Sequence, residues 1–444
     1  MRSLQLPLYL LCALPLFFLG DIVNNLINGY AASYLPGYFA GFLAATGLGI
    51  IFIIRDRAMV VLSLVWIIWY VVGVLNTVSS SLFLGGYYSN LDVNLAAIIY
   101  LSGAIFFLLG IKSGEVVCER VHISGLVSMT IKSTINKPVK LLLVFFPVAW
   151  LASMYFYLGY IPMLLGINIV DEMYELNYGP LYPYTAIISI SCVFAMKKII
   201  FDDGGVFWWV IFILGLIISF SDGKRVIVMI VCGAIVPMVF SRYGQSGWVK
   251  IISSMLMMIL FYVIGEILRQ GGSTDRYESD KITKYMAVGV EFRDFVYSVN
   301  ILTAGEVDGF NWHKSAVAAF MNSGVLSIFG IDKKEYVMMG SAYVWSKIFN
   351  SEFGIRTGLL SELWFAYSYL YLFFLFLAGM MSSCISFLVK HVGSEMISVL
   401  LWCTMGLGYL AVVGQTTAIT GTLTVYAYVY LIYIGSNWIF GVKK

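Results

Sequence analysis

Long apolar blocks separated by short polar joints recur along the whole chain. They fall at residues 4–20, 37–54, 58–75, 95–111, 139–157 and 181–199, then at 205–220, 225–241, 248–267, 358–386, 396–413 and 420–440. A helix needs about 20 apolar residues to cross a bilayer, so the pattern predicts about 12 transmembrane helices. No stretch shows the alternation of barrel strands, and a helix satisfies its backbone groups within its own span. The interval 268–357 is too polar to cross. It predicts one large loop, with helices 1–9 in 1–267 and helices 10–12 in 358–444. Inside the loop, Tyr285, Val288, Phe292, Phe295 or Val296, Val299 and Leu302 recur at helical spacing. They predict an amphipathic helix over 281–302 that lies on the membrane part, against the preference of Gly289. The first block follows Met1-Arg2 as a signal peptide would, but it has no small-residue cleavage site and more spans follow, so it reads as a retained helix.

Composition sharpens this picture. Of 444 residues, 60% are hydrophobic and 11% charged, and the mean hydropathy is +0.89. A soluble enzyme is excluded, since soluble domains carry roughly 25% charge. The net charge of +3 is too small to argue for nucleic acid. Its distribution is more telling. With the N-terminus inside, Arg55, Arg57, Lys112, Arg120, Lys132, Lys137, Lys140, Lys197, Lys198, Arg242, Lys250 and Lys390 fall in cytoplasmic segments. The short outer loops 21–36, 76–94, 158–180 and 414–419 hold no Lys or Arg. This asymmetry predicts both termini in the cytoplasm and the 268–357 loop outside. The six cysteines lie in spans or in the cytoplasmic segment 112–138, so the outer loop carries no disulfide framework. No Cys and His spacing resembles a zinc site.

One outer turn breaks the orientation rule. It reads Ser219-Phe220-Ser221-Asp222-Gly223-Lys224-Arg225 and leads straight into a span. Ser221 or Asp222 suits an N-cap, which puts Lys224 and Arg225 in the first helical turn, where the helix dipole disfavours cations. A bound anion would relieve both penalties. Free amides, a glycine for close approach and a guanidinium make a phosphate or pyrophosphate site that needs no metal. The alternatives are a pair snorkelling to headgroups or pairing with Asp222.

The large loop opens at Gly265-Glu266-Ile267-Leu268-Arg269-Gln270-Gly271-Gly272-Ser273-Thr274-Asp275-Arg276, where paired glycines end a helix as cations appear. Arg293 is a candidate to join Arg225 and Arg276 around one diphosphate, while Glu291 and Asp294 also fit a solvated face with local ion pairs. Among three histidines only His313 is outside, in Gly309-Phe310-Asn311-Trp312-His313-Lys314. Its ordinary pKa suits proton abstraction near neutrality, though a lone loop histidine also fits plain surface. The loop closes at Gly354-Ile355-Arg356-Thr357-Gly358, placing Arg356 and Glu362 at the outer end of the tenth helix, where Glu362 also fits dipole compensation. Tyrosines at 30, 34, 38, 87, 88, 174, 178, 182 and 184 read as an interfacial belt. A few have the faces to stack on sugar rings, with Asn90, Asp92, Asp171, Glu172 and Glu175 as acceptors nearby.

These features together resemble the bacterial O-antigen polymerases, the Wzy-type oligosaccharide repeat unit polymerases. The resemblance covers the dozen spans, the long outer loop late in the chain, the Ser-Asp-Gly-Lys-Arg225 hairpin, and Gly358-Leu-Leu-Ser-Glu362-Leu-Trp-Phe-Ala-Tyr-Ser followed by Gly379. It departs at one family pattern, an Arg and a Gly with ten residues between them, since the glycine after Arg293 is Gly305, one position late. The resemblance implies an all-α, polytopic, GT-C-like fold in the bacterial inner membrane and a metal-independent glycosyltransferase without cofactor. Its donor and acceptor would be undecaprenyl-pyrophosphate-linked oligosaccharides, with a chain-length regulator as a possible protein partner and no nucleic acid. Lys224, Arg225, Arg269, Arg276, Arg293 and Arg356 would hold the pyrophosphate. His313, Glu291 or Glu362 would take the acceptor's proton. Two other readings stay open: a lipid-linked oligosaccharide flippase or other transporter, and an O-antigen ligase. Flippases carry charge within their spans and have short loops, unlike this chain.

Overall fold

A computed structural model describes residues 35–67, 90–120, 133–161, 179–221, 225–247, 249–250, 295–296, 298–299, 310–321, 323–348, 358–410 and 416–440. Among them the regular structure is helical: α1 (Leu35–Ile53), α2 (Arg57–Ile67), α3 (Asn90–Arg120), α4 (Lys137–Leu158), α5 (Ala186–Phe201), α6 (Val206–Ser221), α7 (Arg225–Tyr243), α8 (Trp312–Phe320), α9 (Ser323–Ile328), α10 (Lys333–Met338), α11 (Ser341–Ile348), α12 (Gly358–Tyr367), α13 (Tyr371–His391), α14 (Glu395–Leu410) and α15 (Thr416–Phe440). Among the described residues four stretches are long and apolar enough to cross a membrane: Leu95–Arg120, Lys137–Leu158, Gly358–His391 and Ala418–Ile439. Shorter apolar helices stand at Gly41–Ile53, Arg57–Ile67, Val206–Ser219, Ile227–Tyr243 and Glu395–Gly408. The predicted crossings 4–20 and 248–267 lie outside the described residues, apart from helical residues 249–250.

The chain divides into two compact units. The first comprises Met1–Val121, Ser279–Cys384 and Ala411–Gly421. Its α3 and α13 cross where both are glycine. A Cβ on Gly110 would lie 2.0 Å from the Phe376 carbonyl oxygen, and one on Gly379 would lie 2.0 Å from that of Phe107. Only hydrogen fits at either position. Small residues permit such backbone contact, and packing between helices rather than a hydrophobic drive then holds apolar helices together in lipid. Around this crossing Trp66 stacks on Phe107 at 4.8 Å, and the Tyr371 hydroxyl donates to the Ile99 carbonyl at 2.9 Å. At the α1–α2 joint the buried Glu115 carboxylate accepts from the Arg55 and Asp56 amides at 3.0 and 2.9 Å and from Lys112 at 2.8 Å. A buried charge is tolerated when it is satisfied in this way.

The second unit comprises His122–Glu278, Ile385–Leu410 and Thr422–Lys444. Its centre is α5, buried without a break from Ile187 to Met196 and packed by α4, α6, α7 and α14. Two more glycines allow close approach: a Cβ on Gly406 would meet the Ile230 carbonyl oxygen at 2.1 Å, and one on Gly215 the Cys192 sulfur at 2.2 Å. Asn136 caps α4 by accepting from the Val139 amide at 3.2 Å, while its own amide donates to Ser436 and Asn437. Lys198 pairs with Glu395 and Asp202, each at 2.7 Å.

The tenth predicted helix, 358–386, differs from expectation. It is interrupted: α12 ends at Tyr367, a 3-10 turn covers Ser368–Leu370, and Ser368 has φ +49. The reason is length. Gly358–His391 as one helix of 34 residues would reach about 51 Å, far beyond a roughly 30 Å hydrocarbon core, whereas the 21 residues of α13 reach about 32 Å. The break leaves α12 and α13 as separate helices, of which α13 by itself matches the thickness of the hydrocarbon core.

Candidate functional site

The segment 310–348 folds as four short helices, two of them started by side-chain caps. Asn311 caps α8 by accepting from the Lys314 amide at 3.0 Å, and Asp332 caps α10 by accepting from Lys334 at 2.8 Å. The Asn311 amide donates to the Met339 carbonyl at 3.0 Å, so α8 and α10 lie against each other.

This folded segment is fastened to α12 through Glu362. The side chain is 3% exposed, one turn inside α12 rather than at its start. One oxygen accepts from the Ser341 hydroxyl at the head of α11. The other accepts from Thr416 twice, from its amide at 2.7 Å and from its hydroxyl. The Thr416 hydroxyl oxygen in turn accepts from the Trp312 indole N–H at 2.8 Å. The dipole that Glu362 meets is therefore that of α15, whose first amide it satisfies, and not that of its own helix. Both carboxyl oxygens are occupied, so the residue joins α11, α12 and α15 and locates Trp312.

Beside this joint three rings meet edge to face. Trp312, His313 and Tyr367 have mutual centroid distances of 5.4 Å, with interplanar angles of 82°, 69° and 85°. The Tyr367 oxygen lies 3.4 Å from both His313 nitrogens, long for a hydrogen bond. His313 is exposed, and Tyr367 backs onto Phe374 at 4.5 Å. Below them Phe295, wholly buried, packs on Trp364 and Phe365 at 5.9 Å, and Trp345 on Phe365 at 5.1 Å. Phe295, Val296 and Val299, on the apolar stripe expected for 281–302, are helical and buried, as is Ser298.

His313 and Glu362 are thus brought into one neighbourhood, linked by Trp312. Arg225 is the first residue of α7, and its side chain lies outside the described residues, as do Lys224, Arg269, Arg276, Arg293, Arg356 and Glu291. The convergence expected of these cations falls there too. Among the described residues no group of three His, Cys, Asp or Glu side chains is spaced for a metal ion. Ser341, Thr416 and Tyr367 were not among the sequence candidates. Thr416, a cap-type residue opening a span within the outer loop 414–419, carried the one readable signal.

No family model, curated protein or solved structure matches the chain. The fold defines its class: an α-helical membrane protein.

Proposed function

We propose that the protein is a Wzy-type repeat unit polymerase of the bacterial plasma membrane, with both termini cytoplasmic. It transfers a growing glycan from undecaprenyl pyrophosphate to the next lipid-linked repeat unit on the outer face. The observation that carries the reading is the exposed His313 on a folded loop that Glu362 fastens at the end of a span. In the reaction the bond from the anomeric carbon to the pyrophosphate oxygen breaks as that carbon bonds the acceptor oxygen. His313 takes the acceptor's proton, and Arg225, Arg276, Arg293 and Arg356 neutralise charge growing on the leaving pyrophosphate. Glu362 holds the loop in place. Trp312 and Tyr367 offer faces for a sugar ring. A lipid-borne substrate suits a site at the rim of a span, because the carrier's tail stays in the bilayer while its head reaches the loop.

Deleting the gene tests the reading. A gel of the surface glycan is expected to show a single repeat on its anchor. Absence of translocated repeats would favour a flippase, unattached polymer a ligase, and unchanged long chains would end all three readings.

A further inference from the structure

The loop helices carry an apolar tip that no packing among the described residues explains. Leu326 is fully buried and fixes the base of a tight turn, whose amides at Phe329, Gly330 and Ile331 donate to the Leu326 and Ser327 carbonyls at 3.0 Å. Gly330, at φ +69, reverses the chain. The next residues point away: Ile328 is 80% and Phe329 70% exposed, and Met338, at the end of α10, is 53% exposed. Two large apolar side chains at the crest of a hydrogen-bonded turn cost free energy in water, roughly in proportion to the area they show. Lys333 and Lys334 follow the crest after Gly330, Ile331 and Asp332, the carboxylate that caps α10. The Lys333 ammonium donates to the Met321 carbonyl at 3.0 Å, and Lys334 is exposed.

Height decides what meets the crest. The loop helices grip α12 at Glu362, Phe365 and Tyr367, and Tyr367 lies only four residues before Tyr371, where the membrane-length α13 begins. Helices α8 and α11 are therefore fastened close to the end of a membrane-length stretch, which puts a bilayer surface within reach of the crest. Apolar tips with nearby lysines are the chemistry that enters such an interface, the rings among acyl chains and the ammonium groups at anionic headgroups.

We propose that the Ile328–Phe329 turn is a membrane anchor, inserted in the leaflet on the side where α12 begins and held to anionic phospholipid by Lys333 and Lys334. It gives the loop a second attachment beyond Glu362, and it stands whether or not the chain transfers sugars.

The test uses the whole protein in vesicles of phosphatidylethanolamine and phosphatidylglycerol. Phe329→p-benzoylphenylalanine is illuminated and its adducts are identified by mass spectrometry. Tyr369, 84% exposed in the 3-10 turn just before α13, carries the same group as the reference at the end of the span. Phospholipid adducts at position 329 are expected at a yield comparable to that at 369. Lys333→Glu with Lys334→Glu is expected to lower the phosphatidylglycerol share, by roughly fivefold per lysine if each contributes about the usual amount. An adduct to a second copy of the chain, or capture of water alone at 329 while 369 labels lipid, overturns the proposal. Because Phe329 is exposed, the variant is expected to elute as the wild type does in size exclusion. Should it not, spin labelling at Lys334→Cys decides the matter through the ratio of oxygen to nickel-complex accessibility: a lipid-like ratio supports the anchor and a water-like ratio overturns it.

Discussion

Replacing Glu362 with alanine removes three hydrogen bonds at once, and all three donors sit where water is excluded. Ser341 and Thr416 are 1% and 5% exposed, and the orphaned groups are the Ser341 hydroxyl, the Thr416 amide and the Thr416 hydroxyl. Each stranded donor costs about 1–3 kcal/mol, and allowing for hydroxyl rotation and local relaxation the loss is about 3–5 kcal/mol. For a chain of 444 residues that corresponds to a fall in melting temperature of roughly 3–5 °C. Glu362→Gln is expected to behave differently. Its carbonyl keeps both Thr416 donors, and its amide turns to the Ser341 hydroxyl, which then accepts, so the loss stays near about 1 kcal/mol. The assay is a thermal melt of the purified protein in detergent, followed by tryptophan fluorescence and by size exclusion. An alanine variant melting within about 2 °C of wild type would show that the joint contributes little to stability. A glutamine variant as damaged as alanine would refute the assignment of donors and acceptors around the carboxylate.

Gly379→Ala drives a methyl into the Phe107 carbonyl, 2.0 Å away, and is expected to cost about 3 kcal/mol or more because backbone must move; an unaltered melt would refute the crossing. His313→Ala is expected to lower chain extension by about 10²- to 10⁴-fold with an unchanged melting temperature, the side chain being exposed. Glycan ladders of wild-type length in that variant would remove the histidine from the mechanism. Arg225→Ala is expected to abolish chain extension and Arg225→Lys to restore little of it, since a diphosphate takes a guanidinium fork better than a point charge, and the ladder from each strain decides.

How much of the site was legible varies by residue. His313 stood out because it is the one histidine that the expected orientation places outside, and Glu362 because it falls at the expected outer end of the tenth helix. Their partners did not stand out. Ser341 and Thr416 lie 21 and 54 positions from Glu362, and although Thr416 reads as a cap-type residue, its pairing with Glu362 comes from packing that no local pattern encodes. Tyr367 stands in the sequence only as part of the 358–368 motif, and its place beside His313 comes from the fold.

What the sequence by itself determined is the helical, membrane-embedded character of the chain. Length and apolarity of a block are local properties, and the cost of carrying bare backbone through hydrocarbon leaves a helix as the outcome. The start of α4 at Asn136 and of α8 at Asn311 is local in the same sense, because a cap acts within three residues. Only the tertiary structure decided which glycines face one another, as Gly110 and Gly379 do across α3 and α13, and where the 358–391 stretch breaks. It also decided that Glu362 satisfies another helix. Each of these depends on how distant segments approach, and packing sets that distance through shape and hydrogen-bond satisfaction, which a linear pattern of polar and apolar positions does not contain.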